Sequence, residues 1–237
     1  MNTPVNTEAK TEKKENILLN IVINIVIPTL ILSKFSGEDY LGVKLAIIVA
    51  IAFPIAYGLF DIRRSGKFNL FSALGIFSVA MTGGMALLKL PPQYIMIKEA
   101  AIPAIFAIVT LISLKTRYPL VKTFLYNDKI MQVDKVSAAL EERGTEQQFD
   151  KALVNASYLM ALSFVVSSIL NYVLAKVLLV SEPGTEAFNA ELGKMNALSF
   201  PVIAIPATIV MMFALFYLFK KIKALTQLDL EDILKHQ

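Results

Sequence analysis

The chain contains no cysteine and no tryptophan, and its one histidine, His236, stands next to the last residue. The missing thiols exclude disulfide frameworks, thiolate metal sites and cysteine nucleophiles. A terminal histidine is poorly placed to hold a metal or a proton in fixed geometry, which argues against histidine-dependent catalysis. Charge is scarce too: 18% of the 237 residues are charged and 56% are apolar, against roughly 25% and 45–50% in a typical soluble domain. The scarcity is concentrated. Six stretches, 17–32, 41–60, 70–88, 95–114, 157–179 and 199–219, are almost free of charge, and each approaches the ~20 residues that a helix needs to cross ~30 Å of hydrocarbon. A soluble core has no room for six such helices, so the predicted fold is all-α: a polytopic membrane protein with a bundle of six transmembrane helices.

The basic residues give the threading. Seventeen lysines and arginines fall in the arm 1–16, the loops 61–69 and 115–151, and the tail 220–237. The opposite loops hold only Lys34, Lys89 and Lys194, with Lys44, Lys98 and Lys176 in spans near that same face. The positive-inside rule places the first set, and both termini, in the cytoplasm. A net charge of +4 distributed in this way reports on topology and not on nucleic acid. The expected organisation is a disordered cytoplasmic arm over 1–16, a membrane domain over 17–219 that includes the 115–151 loop, and a cytoplasmic tail over 220–237. The first apolar stretch runs to Leu32 and into Ser33-Lys34-Phe35 without a small-residue cleavage site, so it reads as an anchor and not as a cleaved signal.

Loop 115–151 carries a structure of its own. Ile130, Val133, Val136 and Leu140 recur at the spacing of one helical face, and Gly144 is placed to end that helix. Thr145-Glu146-Gln147-Gln148 has a capping-box pattern. A helix starting there and running to Leu179 would be about 50 Å long, so one end must stand outside the bilayer.

Polar groups inside hydrocarbon must face protein or a hydrated cavity. Asn20 and Asn24 share a helix face, and Pro28 removes the donor that would engage the Asn24 carbonyl. Ser163, Ser167 and Asn171 form a second stripe at four-residue steps. The two stripes either bond each other and hold two helices together, or line a solute or ion pathway. Pro28, Pro54, Pro103, Pro201 and Pro206 all interrupt spans, as happens where transporters build binding sites and also more generally in membrane helices. In the third span Ser72, Gly75, Val79, Thr82 and Ala86, with Gly83 and Gly84, make a small-residue face suited to close helix contact.

Charges inside the spans are more selective signals, because one at the centre costs about 2.5–3.5 kcal/mol on the insertion scale. Lys44 and Lys176 are near enough to a span end to snorkel. Lys98 and Glu99 are neighbours, so their directions diverge by ~100° along a helix and they are expected not to pair well. Glu99 is the candidate protonation or cation site. Candidate pathway or coupling residues are thus Asn20, Asn24, Lys98, Glu99 and Asn171. Asp61, followed by Arg63 and Arg64, is a candidate cytoplasmic gate, or simply a short charged turn. No paired carboxylates, histidine cluster or serine–lysine pair occurs at helical spacing within a span. No enzyme activity, metal or cofactor is therefore expected.

Gly58-Leu59-Phe60-Asp61-Ile62-Arg63-Arg64-Ser65-Gly66-Lys67 resembles the signature between helices two and three of major facilitator transporters, with one residue fewer between glycine and aspartate. Six crossings are half of that fold, so the likeness implies a homodimer. Most of the chain resembles a family of six-helix bacterial inner-membrane proteins that often receive a facilitator-type label. Asn24-Ile-Val-Ile-Pro28-Thr29, Phe53-Pro54-Ile-Ala-Tyr57-Gly58, Ser113-Leu-Lys115-Thr-Arg117-Tyr118-Pro119 and Gly184-Thr185-Glu186-Ala-Phe188-Asn189 carry the resemblance. A weaker likeness to the intracellular septation protein A family runs from Gly84 to Leu111, through Lys98 and Pro103. The first resemblance implies a permease of the bacterial inner membrane; the second implies a scaffold that meets envelope-assembly partners. A permease should have a hydrated cavity reaching Asn20, Asn24, Asn171 or Glu99. A scaffold should be closed in the middle, with its working surfaces in 115–151 and in 181–198, a segment expected to be a solvated outer loop or a lid.

Overall fold

The computed structural model describes residues 20–65, 70–116, 119–128 and 130–235. Among the described residues the chain is helical, with one isolated bridge between Met131 and Leu234 and no strand. The helices are α1 (Val22–Lys34), α2 (Gly42–Ser65), α3 (Leu70–Leu87), α4 (Pro92–Ser113), α5 (Leu120–Phe124), α6 (Val133–Arg143), α7 (Glu146–Leu178), α8 (Glu186–Thr226) and α9 (Leu230–Ile233). Four of them, α2, α4, α7 and α8, are long and apolar enough to cross a membrane, and the described α1 and Ala73–Leu87 of α3 are shorter apolar helices. Their outward faces carry Ile105, Ile108, Ile112, Ile169, Val173, Ile209, Phe213 and Phe216, all exposed. That much uncovered apolar surface suits lipid and not water. The expected arm 1–16 lies outside the described residues.

Two of the helices contain a wider turn just ahead of a proline. In α1 the turn Val22–Val26 is a π-helix, with the Ile27 amide donating to the Val22 carbonyl, and Pro28 follows. In α8 the turn Phe200–Ala204 is also π, with Ile205 donating to Phe200, and Pro206 follows. A proline ring removes a donor and crowds the carbonyl four residues back. One extra residue in the turn relieves that crowding and lets the helix continue. The prolines of the last span therefore do not mark its start, and α8 runs on from Glu186.

This overturns the reading of 181–198 as a solvated loop. Only 179–185 forms the connection, closed by the Glu191 carboxylate, which accepts from the amides of Val180 and Ser181 and from the Ser181 hydroxyl. Gly184, at φ +86°, supplies the left-handed turn, and the Thr185 hydroxyl then caps the helix by accepting from the Phe188 amide at 3.1 Å. The first turns of α8 pack against α1. Gly193 makes that contact close: a Cβ there would lie 3.1 Å from the Thr29 carbonyl oxygen and 3.0 Å from the Ser33 hydroxyl. Asn189, fully buried, donates to Ser36 Oγ and to the Val43 carbonyl. It ties α8 to the turn between α1 and α2.

The helices form two groups. In one, α4 and the second half of α8 both pack along α7, with Ser168 Oγ donating to the Ala100 carbonyl at 2.8 Å and Ser163 Oγ to the Ala207 carbonyl at 2.7 Å. In the other, α1, α2, α3 and the first half of α8 come together, and Gly83 and Gly58 of the α2–α3 pair sit against Ile51 and Ile76. Direct contact between α3 and α4 is sparse.

A cap closes one end of the first group. Helix α6 forms over Val133–Arg143, with Val136 and Leu140 buried and Gly144 ending it in the left-handed conformation at φ +63°, while Ile130, expected on the same helical face, lies in the turn before it. Helix α7 begins at Glu146 as predicted, but without the capping box: the Thr145 hydroxyl donates to the Leu225 carbonyl at 3.3 Å. The segment read as a tail is packed over 220–235. The Gln132 amide donates to Ile233 and the Lys235 amide to Ile130. Ile233 is fully buried in a core that also holds Val121, Met131, Phe149, Leu218 and Ile222.

Candidate functional site

Where the two groups meet they leave a cavity of about 240 Å³, lined from α1, α2, α3, α4 and α8. Its apolar wall includes Leu32, Ile47, Ile51, Leu192 and Met195; its polar wall is Asn24, Ser78, Thr82, Glu99, Asn196 and Ser199. Pro28 and Pro54 both face it, so the donors that these two prolines withhold from their helices are missing beside the space.

Each polar group has a structural cause. Pro28 leaves the Asn24 carbonyl without its helical donor, and Asn196 Nδ2 supplies one from α8 at 3.3 Å. The Asn24 side chain donates back to Asn20 Oδ1 at 3.0 Å. On the opposite side, Lys98 is buried at 6% exposure and Glu99 is at 22%. The lysine ammonium lies 2.6 Å from Glu99 Oε1, 2.6 Å from Thr82 Oγ1, 2.9 Å from Ser78 Oγ and 3.2 Å from the Ser78 carbonyl. Thr82 in turn donates to the Ser78 carbonyl at 3.1 Å or to Glu99 Oε1 at 3.2 Å. The expectation that these neighbours would not pair is therefore wrong. Adjacent Cβ directions diverge, but a lysine chain is long enough to turn back, and the hydroxyls of α3 give both charges one meeting point.

Other expectations resolve differently. The stripes of the first and fifth spans do not bond each other. The first meets α8 through Asn196, and in the second Asn171 Nδ2 donates to the Ser167 carbonyl of its own helix at 2.8 Å. Asn171 does not line the cavity; Asn24 and Glu99 do, and Asn20 stands behind Asn24. Asp61 and Arg63 lie in the last turns of α2, which continues through to Ser65 as helix, not as a turn. Among the described residues no ion pair joins them, and the Arg64 side chain is outside that set. No group of histidine, cysteine, aspartate and glutamate able to hold a metal occurs among the described residues. A second cleft, of about 360 Å³ between Glu38, Lys44, Lys89 and Gly184, contains none of the candidate site residues.

Sequence reasoning missed Asn196, Ser199 and Ser78. Asn189 and Asn196 are seven residues apart with Gly193 between them, two helical turns on one face. That spacing was available, but the surrounding glutamates gave the segment the look of a loop. No protein-family model, curated protein or solved structure matches this chain.

Proposed function

We propose that the chain is a small permease of a bacterial inner membrane, crossing it six times with both termini in the cytoplasm, and that it moves a small polar solute through the cavity between its two helix groups. The observation that carries this reading is the cavity itself, with Asn24, Ser78, Thr82, Glu99, Asn196 and Ser199 at its wall. Polar groups at membrane depth are costly unless they meet protein or water, and a chain selected only to pack would fill such a space with side chains. A volume of about 240 Å³ is many times what a single water needs. Helices interrupted by proline on both sides of the space are the usual companions of a transport site.

The alternative is a scaffold in envelope assembly or septation, favoured by the ordered cap of α5, α6 and α9 on the basic end. The absence of cysteine makes the two separable. Cysteines placed singly at Asn196, Ser199 and Val79 should react in proteoliposomes with a small charged thiol reagent supplied in water, whereas one at the lipid-facing Ile209 should not. If the three cavity positions stay as inert as Ile209 with reagent on either side, the scaffold reading replaces the permease.

A further inference from the structure

The Lys98 ammonium meets four oxygens: Glu99 Oε1, Thr82 Oγ1, Ser78 Oγ and the Ser78 carbonyl, all between 2.6 and 3.2 Å. One carboxylate, two hydroxyls and one carbonyl around a buried monovalent charge make the donor set of a cation site. Two of the three residues come from α3, and the third, with the lysine, from α4. The direct packing of these two helices is sparse, and the cavity reaches their junction at Ser78, Thr82 and Glu99.

We propose that Ser78, Thr82 and Glu99 form a binding site for a primary ammonium ion, that Lys98 occupies it as a cation tethered to the chain, and that this occupancy latches α4 to α3 at the edge of the cavity. The site takes an alkylammonium and not a hydrated metal ion, because three directed N–H groups match acceptors at hydrogen-bond distance. The neutral Asn24, Asn196 and Ser199 on the facing wall add no competing charge. Breaking the latch requires the Glu99 carboxylate to find another cation or a proton. The latching role rests on the permease reading; the ammonium site does not.

Lys98→Ala removes the last four heavy atoms of the side chain, which n-propylammonium reproduces. In detergent, Lys98→Ala and Lys98→Met should each unfold roughly 5–15 °C below wild type, since removing one partner of a buried pair strands the other. Millimolar n-propylammonium chloride should recover at least half of that loss in Lys98→Ala. It should leave wild type and Lys98→Met unchanged, because in both a side chain fills the space that Lys98→Ala empties; sodium chloride at equal ionic strength and propan-1-ol should do nothing. Equal shifts in all three proteins, or no recovery in a monodisperse Lys98→Ala, overturn the site. Should Lys98→Ala not fold, Thr82→Val decides: it lowers the transition of wild type more than that of Lys98→Met, where only the bond that Thr82 itself donates to Ser78 or Glu99 is left to lose, and an equal effect in both refutes the cage. The latch has its own readout, a roughly tenfold faster labelling of Asn196→Cys in the Lys98→Met background. Cavity cysteines that never react would remove the permease reading while ammonium recovery still stood.

Discussion

Asn196 donates from α8 to a carbonyl that has lost its ordinary helical donor to Pro28. Replacing it with leucine leaves the Asn24 oxygen without the donor that Pro28 withholds. Interhelical hydrogen bonds in membranes average about 0.6 kcal/mol with a maximum near 1.7, so Asn196→Leu should lower the unfolding midpoint by roughly 2–6 °C in a thermal scan in detergent. Asn196→Ser, which keeps a hydroxyl, should lose less. At the opposite end of the molecule, burial pushes the Tyr126 phenol above its ordinary pKa, with Asp128 and Asp134 adding to the rise and the Ser137 hydrogen bond opposing it. The folded state then holds a proton that the unfolded chain gives up near pH 10. This contribution is complete below that pH and is lost as pH climbs from there through the raised folded-state value. The gap in midpoint between wild type and Tyr126→Phe should therefore narrow above pH 10; a constant gap contradicts the assignment. At this scale Asn24 and Glu99 were legible because an amide or a charge in an apolar span is rare enough to stand out. The Lys98–Glu99 pairing was not, since it depends on hydroxyls brought in by another helix.

Helix α7 was legible almost to the residue, because an amphipathic start runs without interruption into a long apolar run. Helix α8 was not. Its first three turns carry Glu186, Glu191 and Lys194 on one side and bury Phe188, Asn189 and Leu192 on the other, a mixture that composition alone reads as loop. The π turns ahead of Pro28 and Pro206 leave no composition signal, since Pro54 and Pro103 sit in unbroken α-helix and the difference is only a shift in hydrogen-bond partner. The contact of α8 with α1 depends on Gly193, where any side chain meets the Thr29 carbonyl. Gly193→Leu should force these helices apart and cost roughly 1–3 kcal/mol, visible as a midpoint several degrees lower; Gly75→Leu, with nothing within 4 Å of its Cβ position, serves as the neutral control. A Gly193→Leu midpoint matching the control would place the two helices farther apart than described.

For the whole molecule, the helical class and the presence of membrane-crossing helices follow from the spacing of charge along the chain. The division into two helix groups with a cavity between them does not, because it depends on which helix neighbours which. The orientation argued from the basic residues has a direct check. Green fluorescent protein fused after Gln237 should fluoresce in intact bacteria, and alkaline phosphatase fused there should be inactive; an active phosphatase would invert the proposed threading.

Helix α7 spans 33 residues, about 50 Å at 1.5 Å per residue, and hydrocarbon covers only ~30 Å of it. It is hydrogen-bonded to α4 about two-thirds of the way along through Ser168, and at its far end Phe149 and Leu153 are part of the cap core. A rigid rod held in this way is a lever. Pivoting it by about 5° around that bond displaces the far tip by roughly 3 Å over the ~33 Å between Ser168 and Glu146, so a small rearrangement of α4 would carry the cap built on that tip with it.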